Sequence, residues 1–348
     1  YYKEYANLTI TDAHNVTIES LTIDGNQFEW KSYNGCGLNI FKSERITITG
    51  CEIYNAANSG INIGQVSVDP NEPINSKILI DNCYIHDIGT ADINSFYAYG
   101  NGIAVVRGKD IVIRNNFIDK IYDIGGINLE GLLQDNIILD GNRITNLTGK
   151  APAIKLWAGG IDDLADYVII KNNIISNVYG GGGEWGAIHV KSAGNSLTID
   201  NNKIYDCESD GIVVNSAMDL TISNNSIKNS NNARLNINTA SKVINITGNY
   251  IGYAEGATAQ PSWIETQGVT GSIANISNNT VENAPGAAFR LVFRNPSRFT
   301  NNTIIRPNRS SGSYAIAFGP SNLSKSIIGN NSFIDPSPNS NRLAFYDF

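Results

Sequence analysis

The chain has 348 residues, 41% of them hydrophobic, and carries a net charge of -7. That length allows a large core or a long repeat array, and the hydrophobic share excludes wholesale disorder. The negative balance excludes a nucleic-acid partner held through bulk charge, and no apolar run approaches the roughly 20 residues of a membrane helix.

The chain opens Tyr1-Tyr2-Lys3-Glu4, with neither an initiator Met nor a signal-like apolar stretch, as expected of a trimmed or mature chain. From there two phrases alternate. One reads Ile46-Thr47-Ile48-Thr49-Gly50-Cys51-Glu52-Ile53, then Ile78-Leu79-Ile80-Asp81-Asn82-Cys83-Tyr84-Ile85, then Ile111-Val112-Ile113-Arg114-Asn115-Asn116-Phe117-Ile118. It predicts two short strands flanking a tight bend. The bend residues line up as Leu21, Cys51 and Cys83, followed by Asn116, Asn142, Asn173, Asn202, Asn225, Asn249, Asn279, Asn302 and Asn331. Their spacing, on the order of 23 to 33 residues, is that of a solenoid. Asn tolerates the left-handed backbone of a sharp bend, and its amide can bond a neighbouring coil. Cys51 and Cys83 share this position, which predicts free thiols stacked at the corner, and the four Cys show no metal-ligand spacing.

The second phrase is a short strand with a fixed aliphatic frame. Its copies include Gly60-Ile61-Asn62-Ile63-Gly64, Gly126-Ile127-Asn128-Leu129-Glu130-Gly131, Ala153-Ile154-Lys155-Leu156-Trp157-Ala158, Ala187-Ile188-His189-Val190-Lys191-Ser192 and Gly211-Ile212-Val213-Val214-Asn215. Alternation with period two predicts one buried face. Each repeat thus offers three short strands and no helical periodicity. The reading is an all-β, single-stranded right-handed parallel β-helix, a solenoid of about twelve coils with an Asn ladder, forming one domain over 1-348.

The Asn column, the three-strand coils and the Val/Ile alternation resemble the right-handed parallel β-helix of the pectate-lyase-like superfamily. That superfamily holds lyases, hydrolases, epimerases and tail spikes, so the resemblance implies a fold and a carbohydrate setting, secreted or at the cell surface, but no single reaction.

Coil stacking puts the outward residues in two rows. One runs Asn39, Asn62, Ala104, Asn128, Lys155, His189, Val213, Asn236, Glu265, Arg290; the other runs Phe41, Gly64, Val106, Glu130, Trp157, Lys191, Asn215, Asn238, Gln267, Val292. Charged residues on an exposed strand ordinarily just solvate it. Here, however, Glu130, Lys155, His189 and Lys191 fall together, with His189 one of only three His. These four are the candidate catalytic residues. Arg107, Asn128, Trp157, Trp185, Asn215 and Tyr99 are the candidate substrate-binding residues, the exposed indoles suited to stacking on a sugar ring. Loops before the strand (Gly89 to Asn101, Gly180 to Gly186, Ala254 to Ser262) and after it (Gln65 to Lys77, Gly159 to Tyr167) are expected to wall a groove.

Two chemistries suit the patch. In β-elimination a base removes the proton beside a uronate carboxylate while cations stabilise the enediolate, with Lys191 or His189 as base and Lys155 and Arg107 as stabilisers. His189-Val190-Lys191-Ser192-Ala193-Gly194-Asn195 is similar to the Lys-Ser-x-x-Asn stretch of the alginate lyase and chondroitinase B family, and that resemblance implies Lys191 as base. The following coil has Val213 and Asn215 where that family has Arg, and its acidic metal ligands reduce to Glu184. In hydrolysis two carboxylates face one bond at roughly 5–10 Å. Glu130 is well placed, with Asp123, Asp210 and Glu184 from loops, or Asp162 and Asp163, as partners; the paired-Asp motifs of polygalacturonases are absent. A third reading is a non-catalytic glycan-binding tail-spike or adhesin shaft. No cofactor is required, although Asp162, Asp163 and Asp166 form a loop cluster that suits Ca²⁺. The expected partner is a polysaccharide, acidic if the lysines meet it, with no nucleic acid and no membrane.

Overall fold

The computed structural model describes residues 5–25, 35–64, 74–89, 100–131, 134–149, 152–158, 166–179, 186–208, 210–230, 232–239, 241–254, 262–266, 272–285, 287–292, 295–306, 316–318, 326–334 and 345–347. Among them the regular elements are all strands, in three columns. The first column includes Gly35–Phe41, Ser59–Ile63, Gly100–Val105, Ile154–Ala158, Gly186–Ser192 and Asp210–Val214. The second has twelve strands, from His14–Glu19 to Ile327–Gly329, matching the expected number of coils. The third runs from Thr22–Asp24 to Ser332–Ile334. The strand Phe117–Gly131 serves two columns, pairing Ile118 with Ile144 in the third and Ile127 with Ile154 in the first. Each strand pairs in parallel with the one a repeat later, so the chain winds as a right-handed parallel β-helix. Among the described residues no helix is long and apolar enough to cross a membrane.

The interior follows from the aliphatic frame. Ile46, Ile48, Ile53, Ile61 and Ile63, one turn of the coil, are each fully buried, and β-branched side chains suit a pleated surface packed on one face. The small residue that opens each first-column strand sits at the corner shared with the third column. A Cβ on Gly126 would stand 2.5 Å from Cγ2 of Ile144 and 2.8 Å from the Ala153 carbonyl oxygen. Nothing bulkier than the Ala153 and Ala187 of the next coils suits that corner.

The bend column forms one continuous hydrogen-bond ladder. Asn202 Nδ2 donates to Asn225 Oδ1 at 2.9 Å and to the Ile170 carbonyl at 2.9 Å, while Asn225 Oδ1 also accepts from the Asn202 backbone N–H at 2.9 Å. The same pattern links Asn116 to Asn142 and continues through Asn302 to Asn331. Amide hydrogens and oxygen lone pairs are thereby both used, as burial requires. Cys83 continues the ladder backward: its N–H donates to Asn116 Oδ1, and its thiol donates to the Ile48 carbonyl where an Asn would place its amide. All four Cys are buried free thiols. Burial and the neighbouring Cys51 push the Cys83 thiol up to about 12, which makes it inert.

Two details differ from the sequence reading. The left-handed residue is not the ladder Asn but the one before it: Asn115, Gly141, Asn172, Asn201, Asn224 and Gly248 have φ between 52° and 68°. The bend needs one residue that can turn left and one whose amide can reach inward, so two adjacent positions share the work. Second, the coil of Ser262–Thr266 is shifted by two residues. Trp263 pairs with Asn236 and Arg290, and Glu265 pairs with Asn238 and Val292, so Glu265 and not Gln267 continues the second outward row. The frame there has one aliphatic, Ile264, flanked by Trp and Glu, which leaves period two without a unique phase.

Candidate functional site

The first row stands as expected across the middle coils: Ala104 pairs with Asn128, Asn128 with Lys155, Lys155 with His189, and His189 with Val213. In the second row Glu130 pairs with Trp157. There the register breaks. Trp157 pairs with Ser192, not Lys191, because the Gly186–Ser192 strand inserts an extra residue after Val190. Lys191 is therefore a bulge residue, and a bulge re-aims its side chain. It is exposed, and its Nζ lies 3.5 Å from the Trp157 ring centroid.

Lys155 lies on the other side of the register. Only 8% exposed, it donates from Nζ to Glu130 Oε2 at 3.1 Å and stands 4.8 Å from the Trp157 ring centroid. Glu130, itself exposed, also accepts from Asn128 Nδ2 at 3.0 Å. Lys155 is thus an ion-pair partner held against an indole, with no capacity to accept a proton while it stays charged. Two ammonium groups attend one half-buried indole, an arrangement favoured by the negative ring face.

His189 is 5% exposed. Burial first, then the charges of Lys155 and Lys191, lower its pKa to about 4, so the imidazole is neutral near pH 7. Asn215 donates from Nδ2 to His189 Nε2 at 3.3 Å, which assigns the ring proton to Nδ1. The structure thus brings together Glu130, Asn128, Lys155, Trp157, His189, Lys191 and Asn215 over four successive coils.

The remaining candidates part from this group. Arg107 follows the Gly100–Val105 strand, is 5% exposed with its backbone beside Gly64, and its carbonyl accepts from Asn75 Nδ2. Trp185 and Tyr99 lie outside the described residues, as do Glu184, Asp162, Asp163 and most of the loops expected to wall the groove. Asp166, the described member of the Ca²⁺ candidate, accepts from the Asn195 backbone at 2.8 Å and side chain at 3.0 Å. Among the described residues no group of three His, Cys, Asp or Glu is arranged to hold a metal.

Asp210 is not a loop carboxylate. It opens the strand Asp210–Val214, is 1% exposed, and accepts from Arg234 Nε at 2.7 Å. Desolvation raises its pKa against the opposing pull of Arg234. Arg234 reaches it through a second bulge, at the step from Asp210 to Ile212. Sequence reasoning missed this pair, although Arg234 was visible as one extra residue between Ala233 and the first aliphatic, Leu235. Asp210 lies three coils from Glu130, about 14 Å by coil spacing, so the two do not face one bond.

Comparison with known proteins follows the fold. A surface adhesin of Streptococcus pneumoniae, PfbA, is similar at 13% identity with a TM-score of 0.54, over 87% of this chain and 82% of that one. The N-terminal fragment of gene product 12 of bacteriophage Phi29 is similar at 15% identity and TM-score 0.48, over 92% of this chain and 57% of that one. The catalytic unit of a thermostable GH87 α-1,3-glucanase from Streptomyces thermodiastaticus follows at 10% identity and TM-score 0.44, over 94% and 63%. The chain therefore spans about three fifths of these last two. At 13% identity the likeness to PfbA speaks for the fold alone. No curated protein matches the sequence. A family model described as a right handed beta helix region matches residues 6–186, 158–263 and 186–341. With the stacked columns and the Asn ladder, that match places the chain in the right-handed β-helix region family.

Proposed function

We propose that the first-column face around Lys191 binds an acidic polysaccharide and cleaves it by β-elimination, outside the cell or at its surface. The observation that carries the reading is the bulge that lifts Lys191 out of register, over Trp157 and beside a neutral His189. Bulges cluster where a side chain must be re-aimed for function. A negatively charged chain that gathers Lys155 and Lys191 at one indole is better suited to an anionic ligand than to a neutral one.

In this reading the Lys191 ammonium first gives its proton to water, and the amine then takes the proton from the carbon next to the uronate carboxylate. The electron pair forms the ring double bond, the adjacent glycosidic C–O bond breaks, and the departing oxygen recovers a proton from the Lys191 ammonium. The substrate carboxylate competes with Glu130 for the Lys155 ammonium and so gains its charge stabilisation. His189 stays neutral and fixes Asn215 through Nε2. Incubation with uronate-bearing and neutral polysaccharides tests this: ultraviolet-absorbing unsaturated ends from the acidic polymers alone support it, and reducing ends without that absorbance overturn it.

The second reading is glycan adhesion without cleavage, motivated by the likeness to the S. pneumoniae surface adhesin over most of both chains. It predicts saturable binding to the same face and no product from any polymer.

A further inference from the structure

The second column carries a self-complementary face, and we infer that it docks a second copy of this chain. Register fixes parallel rows there. The central outward row runs Thr47, Leu79, Val112, Ile138, Ile169, Thr198. Its four aliphatics are half-buried and face away from the core, while the inward rows on either side hold Ile78, Ile111, Ile137 and Val168 and their neighbours Ile80, Ile113, Leu139 and Ile170. An outward aliphatic row four coils long is unusual in a chain that elsewhere fills this row with Thr and Asn, such as Thr17, Thr221, Asn245 and Asn275.

The flanking row alternates in sign: Asp81, Arg114, Asp140, Lys171, Asp200. Arg114 bonds Asp81 at 2.8 Å and Lys171 lies 3.4 Å from Asp140, yet Arg114 and Lys171 remain 47% and 39% exposed, open to further partners. On the far side Lys109 and Asp135 are neighbours, and exposed Tyr167 stands three coils from Lys77.

A twofold axis along the strands, midway between Val112 and Ile138, sets two copies face to face with their coil stacks antiparallel. Val112 then meets Ile138 of the other copy and Leu79 meets Ile169, with Thr47 against Thr198 at the ends. Arg114 meets Asp140, Asp81 meets Lys171, Lys109 meets Asp135, and Lys77 meets Tyr167. Every charge faces an opposite charge, a polar group or a ring. A twofold axis along the stack instead sets Arg114 against Asp110 and Asp81 against Lys77, so the two arrangements are told apart by which residues they join. The antiparallel dimer is an isologous contact of the kind twofold symmetry produces, and it brings Lys171 to Asp81 of the other copy. Six coils at about 4.8 Å and strands about 20 Å long cover roughly 500 Å² per copy, near the lower bound for a specific interface, so the dimer is weak.

Wild-type protein treated with a zero-length carbodiimide tests this without any substitution. Lys171 and Asp81 of one chain are three coils, about 14 Å, apart and cannot be joined directly, so an amide between them arises only across the dimer. A covalent dimer carrying the Lys171–Asp81 linkage supports the inference; a monomer at near-millimolar concentration, or a dimer linked elsewhere, overturns it. Sedimentation of variants provides the second arm. Arg114→Asp and Asp140→Arg, each confirmed folded by circular dichroism, should weaken self-association at least tenfold, and an equimolar mixture of the two should restore it because each then faces its opposite. Two variants that stay apart when mixed would mean that the charges do not meet across a twofold, and so would contradict the account.

Discussion

Lys191 holds its ammonium 3.5 Å from the Trp157 ring centroid although the two are not register partners, the backbone of Trp157 pairing with Ser192 instead. A one-residue bulge thus decides which side chain meets the indole. It also separates two roles. Lys191→Ala should cut turnover on an acidic polysaccharide by about 10²-fold or more if it transfers the proton. Trp157→Ala should raise KM and leave kcat nearly unchanged. Steady-state kinetics on both variants checks this, and equal kcat losses would mean that the indole only positions the lysine.

Glu130 discriminates the chemistries. It bonds Lys155 at 3.1 Å and Asn128 at 3.0 Å. Under elimination Glu130→Gln frees Lys155 for the substrate carboxylate, so KM should fall by a few-fold while turnover persists. Under hydrolysis the same change should abolish turnover. The outcome is read in one kinetic series.

His189 couples the site to stability. Its folded pKa, about 4, lies below its ordinary 6.5, so between those values the unfolded chain binds the proton and the folded chain does not. Stability should therefore rise with pH from about 4 to 6.5 and be flat above, the His189 share being at most about 3 kcal/mol. Denaturant midpoints of wild type and His189→Asn at pH 4.5 and 7 isolate that share, because carboxylate effects are common to both. Equal pH dependence in the two proteins would place the imidazole in water.

Much of this was legible in sequence. The Asn column, the coil number and the first outward row could be read because each rests on a side chain repeated at a fixed phase. Lys191 lost its place because Ala193 follows Val190 at the spacing with which Ala217 follows Val214, so a bulge and an ordinary corner look alike. The pairing of Lys155 with Glu130 depends on a diagonal reach between coils, which register alone does not reveal.

The ladder should be the stability determinant of the corner. Asn202→Leu removes an acceptor used by both the N–H and the amide of Asn173, and the partner of Asn225. The expected loss is about 1–3 kcal/mol, measured by thermal or denaturant unfolding. A loss within about 0.5 kcal/mol, typical of surface sites, would mean the ladder merely accompanies the stacking of the aliphatic frame.

The proposed elimination is tested most directly by running the reaction in oxygen-18 water and weighing the products. The account predicts unlabelled fragments with an unsaturated non-reducing end, their masses summing to that of the parent chain because no water is consumed. Fragments that carry one labelled oxygen per cleavage, with saturated ends, would contradict it and move the chemistry from Lys191 to Glu130.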